Sequence, residues 1–255
     1  MSKWGVLPGL TTETTGIRWS RKVNMKNKQH RSLHLPWAKE HRCTSLLVSL
    51  VVLLVIFFFA DGSTRGGRIL MTVATTTVFI GGIAAIGNSL GQVIVGIMLM
   101  FPPVIMDWLS TAMGWEDSHL LLVPNLYSLP FYLFLIYVTS AYVFHKGKVT
   151  PDRMQGAACI YLMLGLLWAN IYRVIYYLNS AAFDFTLADS DSFLGPFREL
   201  LYFSFVTLTT LGYGDTVPLS PHARVFALFE AVSGVLFVGI LIARLAGALD
   251  DSKKS

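Results

Sequence analysis

Nine residues, Thr207 to Asp215, read Thr-Leu-Thr-Thr-Leu-Gly-Tyr-Gly-Asp and lie between two apolar stretches, each long enough to cross a membrane. Glycine on either side of Tyr213 lets the backbone alternate between conformations that residues with a Cβ resist. Successive carbonyl oxygens can then point the same way, toward one axis. Four such loops around that axis would stack oxygen cages able to replace the water around a dehydrated cation. Ligation by neutral oxygens alone suits a weakly hydrated monovalent ion, whereas a Ca²⁺ site would want several carboxylates. Thr210, Leu211, Gly212 and Tyr213 carry the carbonyls in question. Gly214 lets the strand turn away at the mouth, and Asp215 sets a carboxylate beside it.

The elements that must hold this loop are apolar helices. The chain has 255 residues, is 54% hydrophobic and 14% charged, and has a mean hydropathy of +0.57. A soluble domain carries about 25% charged residues, so the composition reads as an all-α polytopic membrane protein. A spanning helix needs about 20 apolar residues, and six stretches qualify, at 43–60, 68–88, 90–108, 121–144, 155–179 and 222–249. Pro102-Pro103 in the third and Pro124 and Pro130 in the fourth predict kinks. The stretch Phe197 to Thr209 is too short to span and suits a re-entrant half-helix wrapped by protein. Its C-terminal end would carry about half a negative charge toward the membrane centre, which favours a cation there. Cys43 and Cys159 have no metal-ligand spacing and read as small hydrophobes.

The net charge of +5 and the pI near 9.2 do not point to nucleic acid, because nine basic residues lie within residues 1–42. That segment reads as a disordered cytoplasmic tail facing anionic lipid. A start at Met25 is the competing reading of its first part. Its apolar content lies too far from Met1 for a cleaved signal. The basic tail and the run His145-Lys146-Gly147-Lys148 to Arg153 place both on the cytoplasmic side, and Asp184, Asp189 and Asp191 place the loop before the half-helix outside. Arg65 and Arg68 count mildly against this scheme. The expected division is a tail at 1–42, a four-helix transmembrane unit at 43–145, a linker at 146–153, a helix–pore-helix–filter–helix pore domain at 154–249 and a short cytoplasmic tail at 250–255. Residues 121–144 hold no Arg or Lys, so the four-helix unit lacks voltage-sensor arginines.

The Thr-x-Thr-Thr-x-Gly-Tyr-Gly-Asp run resembles the signature of potassium channels, and the last hundred residues or so resemble the pore domain of prokaryotic members with six spans and one pore loop. The resemblance implies K⁺ sites at the carbonyls of Thr210, Leu211, Gly212 and Tyr213 and at the Thr210 hydroxyl. Leu211 stands where many members carry valine. One pore loop per chain implies a homotetramer. Gly234 falls where such channels often bend the inner helix, with close packing as the competing role and Gly239 as a weaker candidate. Relatives hold the filter-mouth aspartate with a half-helix side chain. Val206 occupies the nearer corresponding position and can donate nothing, so Tyr202 is expected to reach Asp215, with Thr209 as a further support and ordinary packing of Tyr202 as the alternative.

Two charges also fall inside spans. Arg173 lies about 9 Å and Glu230 about 12 Å below the same surface, at 1.5 Å per residue, which predicts an Arg173–Glu230 ion pair, within one subunit or between neighbours. A snorkelling Arg173 and a protonated Glu230 are the alternative. The expected function is passive, potassium-selective conduction in a bacterial inner membrane, with both termini cytoplasmic, no cofactor besides the permeant K⁺ and no enzymatic motif. A non-conducting regulatory or sensory subunit and a subunit of a K⁺ uptake transporter are the competing functions.

Overall fold

The computed structural model describes residues 42–60, 64–86, 90–114, 118–145, 150–185 and 195–254. The basic tail before Arg42, the first half of the 146–153 linker and the acidic residues Asp189 and Asp191 lie outside them. Seven helices follow in order: α1 (Arg42–Phe59), α2 (Arg65–Ala85), α3 (Leu90–Met113), α4 (Ser118–Val143), α5 (Pro151–Leu178), α6 (Gly195–Leu208) and α7 (Pro221–Lys254). Two three-residue strands, β1 (Phe183–Phe185) and β2 (Thr216–Pro218), pair antiparallel with Asp184 opposite Val217. The protein is an all-α multi-pass membrane protein to which this small ribbon is an addition that periodicity in the sequence does not announce.

Among the described residues five helices are long and apolar enough to cross a membrane by length and composition: Arg65–Ala85, Leu90–Met113, Leu122–Val143, Pro151–Leu178 and Pro221–Gly247. The expected first span, 43–60, falls on α1, whose apolar run Cys43–Phe59 is at the lower end of the length that crosses a membrane. Its pattern is still that of an amphipathic packing helix. Leu46, Leu50, Leu53 and Phe57 recur at helical spacing and are buried, while Val48, Val51, Val52 and Val55 between them are exposed. The exposed side is as apolar as the buried one, as lipid requires. Helices α3 and α4 continue through Pro102, Pro103, Pro124 and Pro130. Helix α7 runs on through Asp250 to Lys254, so the expected short tail begins as helix.

Helix α5 is the hinge-pin of the packing. It meets α1 and α4 on one side and α6 and α7 on the other. One core joins Leu46 and Leu50 of α1, Phe79 of α2, Phe131 and Leu135 of α4, Ile160, Met163 and Leu166 of α5, and Phe197 and Leu201 of α6. A second, smaller core gathers Tyr172, Phe183, Leu200, Phe203 and Ala223 behind the loop that follows α6. The two cysteines lie in no disulfide; both are buried, and Cys159 Sγ donates to Cys43 O at 3.5 Å.

The start of α5 is specified locally and tied distantly. Thr150 accepts the Arg153 amide at 3.4 Å as an N-cap, and Pro151 occupies the first turn. Asp152 in that turn accepts from the Cys43 amide at 3.0 Å and from Tyr142 Oη at 2.7 Å, joining α1, α4 and α5 at one point. Arg244 of α7 donates to Phe144 O at 2.6 Å and to His145 O at 2.5 Å, satisfying carbonyls at the end of α4. We expect Asp152→Ala to lower the unfolding free energy by about 2 kcal/mol, since it orphans an amide and a hydroxyl at once. Thermal unfolding in detergent is the measurement, with Asp152→Asn losing about half as much.

Candidate ion-binding site

The loop after α6 begins as the cap of that helix. The amides of Leu211 and Gly212 donate to Val206 O at 2.8 and 3.3 Å, Thr210 N donates to Thr207 O at 3.0 Å, and Thr209 N donates to Phe205 O at 3.0 Å. Thr209 Oγ1 adds a bond to Phe205 O at 2.7 Å. Leu208 O, the last carbonyl of the helix, accepts Tyr161 Oη from α5 at 3.2 Å. The chain then leaves α6 with a regular alternation. Thr210, Gly212 and Gly214 have φ of 60°, 58° and 80°, and the intervening residues Leu211 and Tyr213 do not share the left-handed conformation. Thr210 is the one non-glycine residue of this kind among the described residues. Alternation of handedness turns successive peptide planes so that their carbonyls align on one side.

Residues Thr209 to Gly214 are exposed in the isolated chain, Leu211 by 55% and Tyr213 by 67%. A glycine at 212 or 214 meets nothing where a Cβ would stand, so it is the left-handed backbone conformation, which a Cβ would strain, that favours glycine at both.

Asp215 closes the loop. Its Oδ2 accepts Tyr202 Oη at 2.7 Å and its Oδ1 accepts the Thr216 amide at 3.0 Å. Thr216 Oγ1 donates to Glu199 Oε2 at 3.3 Å. Thr216 then enters β2, whose pairing with β1 fixes the exit from the loop, and Leu219 N and Ser220 N both donate to Ala182 O. Ser220 accepts the Ala223 amide at 3.2 Å and starts α7, with Pro221 in the first turn.

The expected Arg173–Glu230 ion pair is not formed within the chain. Consecutive helical residues point about 100° apart, so equal depth does not mean a shared face. Tyr172, not Arg173, faces α6 and α7. Glu230 has no exposed surface and is held by two hydroxyls, Ser204 Oγ at 2.5 Å and Tyr172 Oη. Ser204 Oγ also lies 2.8 Å from Gly165 O, and Trp168 Nε1 donates to Ser233 Oγ at 3.2 Å, so α5, α6 and α7 are joined by a polar cluster behind the loop. Arg173 instead lines a cavity that α5 shares with residues of α2, α3 and α4, among them Arg68, Asp107 and Asn125. Its guanidinium lies 4.3 Å from the Phe197 ring centre and its Nε donates to Tyr177 Oη at 2.9 Å. Tyr172, Ser204 and Tyr161 were not singled out in the sequence. A helical-wheel comparison of Tyr172 with Glu230 would have found the first.

Gly234 sits where α7 crosses the end of α6, and a Cβ there would stand 2.2 Å from Leu208 O, too close to a backbone atom to be accommodated. Helix α7 is unbroken through it, and Gly239 meets nothing within 4 Å. We expect a double-mutant cycle on thermal stability to couple Glu230→Leu with Tyr172→Phe by at least about 1 kcal/mol. Glu230→Leu and Arg173→Met should be additive within about 0.5 kcal/mol.

Residues 166–251, from the middle of α5 to near the end of α7, match the protein family described as Ion channel. Over 57 residues, 22% of this chain and 16% of the relative, the sequence is 42% identical to two-pore potassium channel 1 of Arabidopsis thaliana. Two-pore potassium channel 2 of the same plant is 33% identical over 109 residues, 43% of this chain and 22% of the relative. A longer stretch of 193 residues, 71% of this chain, is 26% identical to 40% of the voltage-gated potassium channel Kch of Escherichia coli (strain K12). The chain thus spans less than half the length of each of these relatives. No solved structure matches it.

Proposed function

We propose that the chain is one of four identical subunits of a potassium-selective channel that conducts K⁺ passively. The observation that carries this reading is the alternating backbone of Thr210, Gly212 and Gly214, at φ of 60°, 58° and 80°. In that conformation the carbonyls of Thr210, Leu211, Gly212 and Tyr213, with the Thr210 hydroxyl, form one quarter of a stack of oxygen cages. Neutral oxygens match a weakly hydrated ion and leave nothing in the wall that would trap a divalent one.

The tetramer is supported by what one chain leaves uncovered. Only 11% of the α7 span is buried, and Val225, Phe229, Val232 and Leu236 stand exposed beside an exposed filter. Copies of the chain around the filter axis would cover that side of α7 and complete the ring. The end of α6, pointing at the same axis, adds the negative end of its dipole fourfold below the filter. Tyr202 and Thr209 steady the filter from behind, and Asp215 is the carboxylate that Tyr202 holds. Bending of α7 at Gly234 for gating would require it to part from Leu208 O. A bacterial inner membrane and two cytoplasmic termini complete the reading, with anionic lipid as the partner of the basic tail.

Reconstitution into liposomes tests it, with K⁺ and Na⁺ flux as the readout. A conducting, K⁺-selective protein supports the channel. Absence of any flux from well-folded tetramers would instead favour a non-conducting sensory subunit, and flux that requires an imposed coupling ion would favour an uptake subunit. We expect Gly212→Ala or Gly214→Ala to abolish selective conduction while membrane insertion is retained, because a Cβ opposes the left-handed backbone. Wild-type selectivity in either variant argues against the filter assignment. We further expect Tyr202→Phe to shorten open-state lifetime or hasten inactivation in single-channel records, since Asp215 Oδ2 loses its donor. Unchanged kinetics would leave Tyr202 as a packing residue.

A further inference from the structure

The polar cavity that Arg173 lines holds about 120 Å³ and is enclosed by α2, α3, α4 and α5, with Phe57 of α1 and Phe197 of α6 on its wall. Two groups of opposite sign reach it from different helices at nearly one level. Counted from the helix ends on the filter-mouth side, at 1.5 Å per residue, Arg173 of α5 lies about 8 Å down and Asp107 of α3 about 9 Å. The two attract each other across this space, but among the described residues they form no contact ion pair.

Arg173 is held so that one edge stays available. Its guanidinium lies over the Phe197 ring, 4.3 Å from the ring centre, and its Nε donates to Tyr177 Oη at 2.9 Å. The ring takes a face of the planar group and Tyr177 takes Nε. The two terminal nitrogens are left for the cavity, and they are spaced to grip both oxygens of a carboxylate. Acceptors line the cavity beside Asp107. Asn170, one turn deeper than Arg173 on α5, spends one amide proton on Leu166 O at 2.8 Å and brings an amide oxygen. The hydroxyls of Thr72 and Thr111 stand 2.8 Å apart, so one donates to the other and the pair offers further lone pairs.

At this depth in an apolar layer a charge is costly until a partner or water satisfies it. A ligand of one sign satisfies one of these two groups and is repelled by the other. A dipolar ligand satisfies both. We propose that the cavity binds one small zwitterion, a free amino acid of the size of glycine or alanine, with its carboxylate on the terminal nitrogens of Arg173 and its ammonium on Asp107. The three protons of an ammonium match the Asp107 carboxylate, the Asn170 amide oxygen and a hydroxyl of the Thr72–Thr111 pair. The volume sets the size class. A cavity of about 150 Å³ takes benzene, so this one takes about five or six non-hydrogen atoms and excludes an amino acid with a branched side chain.

The test is binding to the purified full-length protein in detergent at fixed K⁺, pH and ionic strength. Glycine is the probe, with acetate and methylammonium as ligands that carry one of its charges each. The readout needs no conduction and K⁺ is held constant, so a failure here is separable from a failure of the channel assignment. We expect the unfolding temperature to rise saturably with glycine, and radiolabelled glycine to be retained at one molecule per chain in equilibrium dialysis. Acetate and methylammonium at the same concentrations should do neither. Arg173→Met should weaken glycine binding at least tenfold. Asp107→Asn should weaken it as much and let acetate bind, a change of ligand preference that a merely structural role would not produce. If Arg173→Met fails to fold, Arg173→Lys, which keeps the charge and loses the fork, and the preference of Asp107→Asn carry the comparison. Acetate or methylammonium binding the unaltered protein as tightly as glycine overturns the proposal, and so does an Asp107→Asn protein that still prefers glycine. Identical unfolding temperatures with and without glycine, or no glycine retained on dialysis, overturns it as well and leaves the cavity with water only.

Discussion

A helix that stops inside an apolar layer must have its last carbonyls satisfied by protein, because no water is there to do it. The end of α6 meets this constraint in full, and the rest of the pore half follows from how it does so. Phe205 O takes the Thr209 amide and hydroxyl, Thr207 O takes the Thr210 amide, Val206 O takes the amides of Leu211 and Gly212, and Leu208 O takes the Tyr161 hydroxyl. The residues that cap the helix are therefore the first residues of the filter. Capping through Val206 O turns Thr210 into the left-handed region at φ 60°, and that turn starts the alternation that Gly212 and Gly214 continue. Helix termination and carbonyl alignment are one event in the chain.

The same constraint explains the polar groups behind the filter. A short re-entrant helix has too little surface to hold itself in place by apolar contact alone. Ser204, at the middle of α6, reaches Gly165 O of α5 and Glu230 of α7, and Tyr172 of α5 completes the carboxyl's shell. Each group supplies a partner that the others need, so the cluster is favourable as a unit and costly to break at one point. Around it, Tyr172 packs edge-on against Phe203 and Phe183 with ring centres 5.1 and 5.6 Å apart. Helix α7 can come close enough to join this packing because residue 234 has no side chain to strike Leu208 O.

How much of this could be read beforehand depends on the range over which each feature is encoded. The loop after α6 and its glycines are set within a few residues and were legible in the sequence, whereas the Thr150-Pro151 start of α5, encoded as locally, was missed and the span expected only from residue 155. The Tyr202–Asp215 contact spans 13 residues but only one helix and one turn, so it too was within reach. The Arg173–Glu230 pairing failed because depth was used without direction. The two helices do bring the right levels together, but the side chain that meets Glu230 belongs to the preceding residue. The β1–β2 ribbon was invisible because three-residue strands carry no period to detect. The cavity was invisible for a different reason: its walls come from α2 to α5, more than a hundred residues apart at the extremes, and each polar residue alone reads as tolerated in its helix.

That one-residue difference on α5 also describes how the two halves of the molecule are joined. Tyr172 and Arg173 are adjacent, yet the first belongs to the core behind the filter and the second to the wall of the polar cavity. Helix α5 is half buried along its span, the largest share among the five membrane-crossing helices, because it has a packed face toward each half. Close-packed side chains do not deform continuously, so a displacement of this helix on one face must be met by rearrangement on the other. Arg244 adds a second joint at the opposite end, where α7 holds the last carbonyls around α4. Residues 121–144 hold no Arg or Lys, yet the unit formed by α1 to α4 is not a passive bundle beside a pore. It is clamped to the inner helix at one membrane face and shares a helix with the filter core at the other.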